Sequence, residues 1–315
     1  MAAAVVVDHR KSVNDMARAF YKMSGSGNDF VFFETTDGAG EGMSSPEAVR
    51  TLCARGTGVG ADGVVFLRRK TSSLVAISYY NSDGSLGELC GNATLCAARL
   101  AHDLDLVTPG DMGIDTDSGT VTARVTDGLP EIDLAPVFEV AVETATIERL
   151  PGELTMGFAR VGVPHIVVVV DDIEAIDVLG RGSQIRRDRS LRDGANVNFL
   201  AAAADGSWRA RTYERGVEGE TLACGTGAVA AAILLVEWGR AKSPVLLETR
   251  SGKILKVSIR REGERWYPSL RGNADLVFIG QLGPIFEALQ FRPTPSEGGD
   301  IALPGIYGPT ADEPM

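Results

Sequence analysis

Residues 228–238 read AVAAAILLVEW, a run of helical composition that is apolar on every side and not along one stripe. A helix of that kind has no face for water, so the rest of the chain must enclose it. Short β-branched segments bounded by Gly, Asp or Asn supply the means. They are DFVFFET (29–35), GVVFLRR (63–69), LVAISYYN (74–81), TVTARVTDG (120–128), HIVVVVDDI (165–173), NVNFLAAA (196–203), WRARTYER (208–215), PVLLETRSG (244–252) and KILKVSIRR (253–261). Strands wrapped around a central helix meet both demands. A further helix reads from SPEAVRTLCARG (45–56), with Ser45 as N-cap and Pro46 at the first helical position.

A second Ala-rich helix pattern stands far upstream of the first, and both have the same preface. GELCGNATLCAARLA (87–101) and ETLACGTGAVAAAIL (220–234) align cysteine on cysteine, Cys90 with Cys224. Each half of the chain supplies strands, a polar turn, Cys-Gly-(Asn/Thr) and a helix. The reading is therefore of an α/β (α+β) protein of two like halves, with a crossing between them near EIDLAPVFEV (131–140). The first half spans 17–135 and the second 136–272, with extensions at 1–15 and 284–315; Met16 reads as an alternative start. After about residue 283 the chain turns rich in Pro, Gly and acid.

The chain carries 31 Lys+Arg against 42 Asp+Glu, a net charge of −11. That argues against nucleic acid and anionic membrane as partners. No apolar run approaches the ~20 residues of a membrane span, and the first residues lack the basic start of a signal peptide. A cytoplasmic protein is expected. The four cysteines, Cys53, Cys90, Cys96 and Cys224, are too scattered for a disulfide scaffold, and with His9, His102 and His165 they show no ligand spacing, so no metal is expected.

The first turn of a helix offers unpaired N–H groups and the positive end of its dipole. A thiolate there is stabilised and its pKa should fall; the same amides can hold a carboxylate. Gly91 and Gly225 let a ligand approach the backbone, and Asn92 and Thr226 add short polar side chains for capping or binding. One such mouth suggests a nucleophile. Two facing mouths suggest a carboxylate held at both, with a sulfur on each face of its α-carbon: one removes the α-proton and the other delivers a proton from the opposite side. No pyridoxal or other cofactor is called for. The bland reading of a free cysteine, a small buried hydrophobe, fits Cys53 and Cys96.

These residues carry a resemblance. FYKMSGSGNDFVF, RGTGVGADGVVFL, YYNSDGSLGELCGNATLCAARLA, VGVPHIVVVVDD, NVNFL and RTYERGVEGETLACGTGAVAAA, in that order over about residues 18–282, resemble the diaminopimelate epimerase family. The resemblance implies two α/β halves, each a barrel-like sheet around a central helix, with the active site in the cleft between them. It also implies that the segment 273–283, which holds ADLVFIGQL (274–282), returns to the first half. The implied activity is interconversion of LL- and meso-2,6-diaminopimelate, in lysine and peptidoglycan precursor biosynthesis, by a cofactor-independent homodimer. Carried over by position, Cys90 and Cys224 are the acid/base pair. Asn28, Asn81 and Asn196 contact substrate, beside Glu214 and Arg215. Gly91–Asn92 and Gly225–Thr226 cradle the α-carboxylate, Arg215 takes the distal carboxylate, and His165 and Glu214 tune the thiols.

Other readings stay open at this stage. Asn28 and Asn81 suit ordinary turns, Glu214 and Arg215 a solvated strand end, and His165 a packing role. GSGND and GVGADG match no phosphate-binding loop in full. Val163 stands where many family members carry an Asn, Gly63 where some carry a Gln, and ERGVEGET is one residue longer than usual. A racemase for another amino acid, a non-catalytic binder and a thiol redox protein are the competing functions.

Overall fold

The apolar run at 228–238 is indeed surrounded by strands. In a computed structural model, residues 19–36, 43–87, 90–144 and 146–282 are described; the extensions expected at 1–15 and 284–315 lie outside the described residues. In chain order the first set of elements is β1 (Ala19–Gly25), β2 (Asn28–Glu34), α1 (Pro46–Cys53), β3 (Gly63–Arg69), β4 (Leu74–Asn81), α2 (Gly91–Asp103), β5 (Met112–Thr116), β6 (Gly119–Thr126) and β7 (Leu129–Asp133), followed by the short β8 (Val140–Ala141). The second set is β9 (Glu153–Val161), β10 (Val163–Val170), α3 (Val178–Arg186), β11 (Asn196–Ala202), β12 (Trp208–Glu214), β13 (Gly219–Thr221), α4 (Gly225–Glu237), β14 (Val245–Glu248), β15 (Ile254–Glu262) and β16 (Arg265–Arg271), followed by β17 (Ala274–Gln281).

The strand pairings repeat from one set to the other. In the first, β2–β3 and β4–β5 are parallel while β1–β2, β3–β4, β5–β6 and β6–β7 are antiparallel. In the second, β10–β11 and β12–β14 are parallel while β9–β10, β11–β12, β14–β15 and β15–β16 are antiparallel. The helices follow suit: α1 and α3 span the first parallel connection of each set, α2 and α4 the second. Each trailing strand then pairs with the leading strand of the other set, β8 with β9 and β17 with β1. The sets meet along an antiparallel seam of β7 with β16, where Ile132 faces Leu270.

Enclosure of the two central helices follows from their composition. In α4 every residue from Ala228 to Leu235 is buried, and it packs on β9, β10, β11, β15 and β16; α2 packs on β1, β6, β7 and β17. Each Leu, Ile or Val so enclosed contributes on the order of 1.5–3 kcal/mol. Ser45 caps α1 as expected, its hydroxyl accepting from Ala48 N–H at 3.2 Å. The sequence reading misses α3, because Gly180 and Gly182 weaken its helical pattern. Gly182 is required there, since a Cβ on it would lie 2.5 Å from the Tyr213 side chain. It also misses β16, where Pro268 argues against a strand.

Candidate active site

Both central helices start at the same construction. Cys90 is the N-cap of α2 and Cys224 of α4, with nearly equal backbone angles (φ −116, ψ 111 and φ −133, ψ 108). The β-region backbone of a cap residue turns each cysteine side chain across its own helix mouth. The mouths meet: a Cβ placed on Gly225 would lie 3.7 Å from Gly91 Cα and 3.0 Å from Leu270 Cδ2. A Cβ at either glycine would touch the other mouth at ordinary contact distance and press on the Leu270 side chain beneath, so glycine leaves the space between the mouths open to a ligand. Leu270, fully buried at the seam, sits under both mouths and holds their spacing.

A cavity of about 780 Å³ opens from this junction. Cys90 and Cys224 line it, as do Gly91, Asn92, Gly225 and Thr226 from the mouths, and Asn28, Asn81, Glu214 and Arg215 from the strand ends. Asn28 is delivered by the tight β1–β2 turn, where Ser26 (φ 53) and Gly27 (φ 117) adopt left-handed backbone. Ser251 of the second set ties that turn down by donating to Ser26 O at 2.7 Å. Asn81 donates to Ser85 Oγ at 3.0 Å, and Arg215 Nη1 to Asp193 O at 2.9 Å.

Asn196 and His165 are not among the cavity walls. Asn196 is buried behind Arg215 and accepts its backbone N–H at 2.7 Å, so it anchors the arginine. His165 is fully buried, and burial pushes its pKa down to about 3, with Arg215 adding to the shift. It is therefore neutral at physiological pH and acts on its surroundings as a dipole, not a charge. Its Nδ1 lies 3.3 Å from Asn198 Nδ2, and its Nε2 has no partner among the described residues. Cys53 and Cys96 lie in the core, away from the cavity, as expected of buried hydrophobes.

Of the two uses open to Asn92 and Thr226, capping or binding, side-chain capping is not taken up: Cys224 Sγ itself accepts from Gly227 N–H at 3.4 Å, and Asn92 Nδ2 donates to Asn28 Oδ1 at 2.6 Å. One expectation fails: the mouths do not lower the thiol pKa values. Burial wins over the helix amides, pushing Cys90 up to about 11 and Cys224 to about 12. The N–H groups of Ala93 and Asn92, and those of Gly227 with the Thr226 hydroxyl, oppose the shift without cancelling it; nearby Glu214 adds to it. Glu214 is itself raised, chiefly by burial.

The free protein should thus hold both sulfurs as thiols. The expected result is slow alkylation by iodoacetamide near neutral pH, about a hundredfold slower than an ordinary thiol for Cys90 and about a thousandfold for Cys224. The rate should climb about tenfold per pH unit up to about pH 10. A rate that levels off near pH 8, followed by peptide mass spectrometry, would contradict this.

Sequence reasoning missed Tyr79, which lines the cavity beside Cys90. Its ring fills the space in front of Gly63 and Gly87, where a Cβ would fall 2.5 and 2.3 Å from ring carbons. The signal was present in those two glycines. The longer 216–220 loop does not reach the cavity: its Glu218 carboxylate is held by Arg186 (3.0 Å) and Gly216 N–H (3.2 Å), beside α3. Val163, by contrast, is a wall residue.

The family model described as diaminopimelate epimerase matches residues 20–135 and 157–277. The chain is 41% identical over 274 residues to the diaminopimelate epimerase of Gemmatimonas aurantiaca, covering 84% of this chain and 99% of the relative. Against that of Aquifex aeolicus the identity is 37% over 276 residues, covering 84% and 97%. Among solved structures, a hydroxyproline epimerase from Agrobacterium vitis superposes with a TM-score of 0.62 at 17% identity, over 84% of this chain and 92% of that one. A phenazine biosynthesis protein of the PhzF family from Enterococcus faecalis gives 0.64 at 16%, over 84% and 99%. At such identities these two show a shared fold.

Proposed function

Because the chain belongs to the diaminopimelate epimerase family, we propose that its two cap cysteines are the acid and base of that family's reaction. The protein is an isomerase that epimerises diaminopimelate. The observation that carries the mechanistic reading is the pair of Cys-capped helix mouths facing each other across one cavity.

An α-carboxylate fits between the mouths, where the amides of Gly91–Asn92 and Gly225–Thr226 point at it. That places the α-carbon between the sulfurs. One cysteine gives its own proton to solvent and, as thiolate, takes the α-proton; its S–H forms again as the C–H bond breaks, and the electron pair is delocalised into the carboxylate. The other thiol then gives its proton to the opposite face. The inverted product leaves the two cysteines with exchanged roles, and the reverse reaction uses them in the other order. No cofactor takes part in these steps. Arg215, with Asn81 and with Asn196 behind it, receives the distal end, and Glu214 takes a distal ammonium or tunes the sulfurs. The pathway role, in lysine and peptidoglycan precursor synthesis, and a cytoplasmic location belong to the same reading; thiol catalysis suits a reducing compartment. No helix among the described residues is long and apolar enough to cross a membrane.

The test is interconversion of LL- and meso-diaminopimelate by protein dialysed against chelator, with no pyridoxal phosphate added. A panel of other amino acids run beside it decides the competing racemase reading, which turnover of a different substrate alone would favour.

A homodimer is part of the proposal. β17 pairs only with β1 among the described residues, and it exposes Leu276, Val277, Phe278 and Ile279 in succession. Such an apolar edge is costly to leave in water. Sedimentation should return about twice the 33.3 kDa chain mass; a monomer at micromolar concentration would refute the dimer.

A further inference from the structure

Asp62 is not one of the residues assigned above. It lies just before β3, and its Oδ1 faces Arg55 Nη2 at 2.8 Å. Its Oδ2 accepts from the Asp29 backbone N–H at 3.1 Å and from Asn28 Nδ2 at 3.0 Å. Arg55 also holds Asp29 at 2.6 Å, and Lys22 holds Asp29 from the buried side at 2.6 Å, so the carboxylate is pinned by a charged cluster.

A carboxylate opposite a guanidinium can only accept hydrogen bonds. Asn28 must then turn its NH2 toward Asp62, which leaves its carbonyl oxygen for Asn92. Asn92 must in turn give its NH2 to Asn28, at 2.6 Å. Its own carbonyl oxygen is left facing the α4 mouth, 3.6 Å from where a Cβ on Gly225 would be, buried and without a partner among the described residues. The orientation of a side-chain amide is ordinarily a matter of choice. Here one carboxylate dictates it through two links.

We infer that Asp62 is a positioning residue that sets hydrogen-bond polarity at the reacting end of the cavity, so that Asn92 offers its carbonyl oxygen to the α-ammonium of the substrate. The inference rests on the reading of the site given above. The helix mouths offer donors, which a carboxylate accepts and an ammonium cannot. An ammonium brings donors alone, and the Asn92 oxygen is an acceptor set among those mouths. Holding the ammonium there also keeps it protonated beside the α-carbon, which favours loss of the α-proton.

The test is Asp62→Asn, which keeps the shape. With Arg55 on the new amide's oxygen, the new NH2 would meet two donors, the Asp29 backbone N–H and Asn28 Nδ2; Asn28, and with it Asn92, would reverse to relieve the second, turning an NH2 toward the ammonium. The measurements are kcat/KM for LL-diaminopimelate and the inhibition constant of pimelate, the dicarboxylate of the same length without amines. Diaminopimelate kcat/KM should fall about ten- to hundredfold, the effect of one hydrogen bond to a charged group. Pimelate inhibition should change by less than about threefold. Asp62→Glu, acceptor-only like the native residue, should keep the wild-type ratio of the two constants even though it fits less well, and it decides the matter if the Asn variant does not fold. Parallel losses for both ligands, or an unchanged kcat/KM, overturn the relay. Wild-type protein that leaves diaminopimelate untouched would overturn the functional reading instead, before any variant is made.

Discussion

Alanine at Cys90 or at Cys224 is expected to abolish epimerisation in both directions, from LL to meso and from meso to LL. Each thiol is base in one direction and acid in the other, so neither direction survives the loss of either. Proton transfer by a positioned group contributes roughly 10²–10⁴-fold, and each variant lacks one of the two transfers that inversion needs, so the loss should be at least of that size. In D₂O the wild type should place solvent deuterium in the inverted product, since the delivered proton comes from the second, exchanged thiol. The single variants should behave differently from each other. The remaining sulfur can still remove and return a proton on its own face, giving slow exchange without inversion for one stereoisomer; the other variant should do so for the opposite configuration. Cys53→Ala and Cys96→Ala should stay active. Both side chains are buried in the core, and Cys96 Sγ lies 2.9 Å from where a Cβ on Gly25 would be, so their cost is in packing. Full epimerisation by Cys90→Ala, or wild-type product that keeps the original hydrogen, rules out two-thiol chemistry.

What could be read in the chain before its structure was local or repeated. The Cys-Gly step before an Ala-rich run is a short-range pattern, so α2, α4 and the cysteines at their mouths are legible, and an all-apolar helix implies its own enclosure. The repeat of strand pairings is legible only as a suspicion, because it resides in which strands are parallel, and that depends on long-range pairing. Leu270 escapes for the same reason. It is one apolar residue in a strand interrupted by Pro268, and only the β7–β16 seam brings it under both glycines. Asn92 was visible as a polar residue at a helix start, but its partner is 64 positions away. The thiol pKa values were misread in direction. A sequence shows the helix amides near a sulfur and not how far the surrounding fold buries it, and here burial is the larger effect.

Arg215→Lys should cost about 2–4 kcal/mol in kcat/KM for diaminopimelate, roughly 30- to 1,000-fold. Arg215 lies at the end of β12, at the cavity wall supplied by the second set of strands. It is held twice: Asn196 Oδ1 accepts its backbone N–H at 2.7 Å, and its Nη1 donates to Asp193 O at 2.9 Å. That second bond fixes the guanidinium plane while leaving other N–H groups to meet a carboxylate. A lysine keeps the charge, but its ammonium cannot serve Asp193 and a carboxylate in the same planar arrangement. The distal carboxylate would be held by a single, mobile contact. Catalysis at the reacting end depends on the whole substrate being in register, because remote binding energy is used to seat the α-carbon between the sulfurs. The loss should therefore appear in kcat as well as KM, and solvent deuterium should still enter the product, only more slowly. A rise in KM with kcat unchanged would mean that Arg215 binds substrate and transition state equally. Near wild-type values for both would remove it from the site and move the distal clamp to Asn81 or to Val163's wall of the cavity. Asn196→Ala supplies the internal comparison. By freeing the Arg215 backbone it should reproduce part of the same loss while leaving alkylation of Cys90 and Cys224 unchanged, which separates a displaced guanidinium from a disturbed pair of helix mouths.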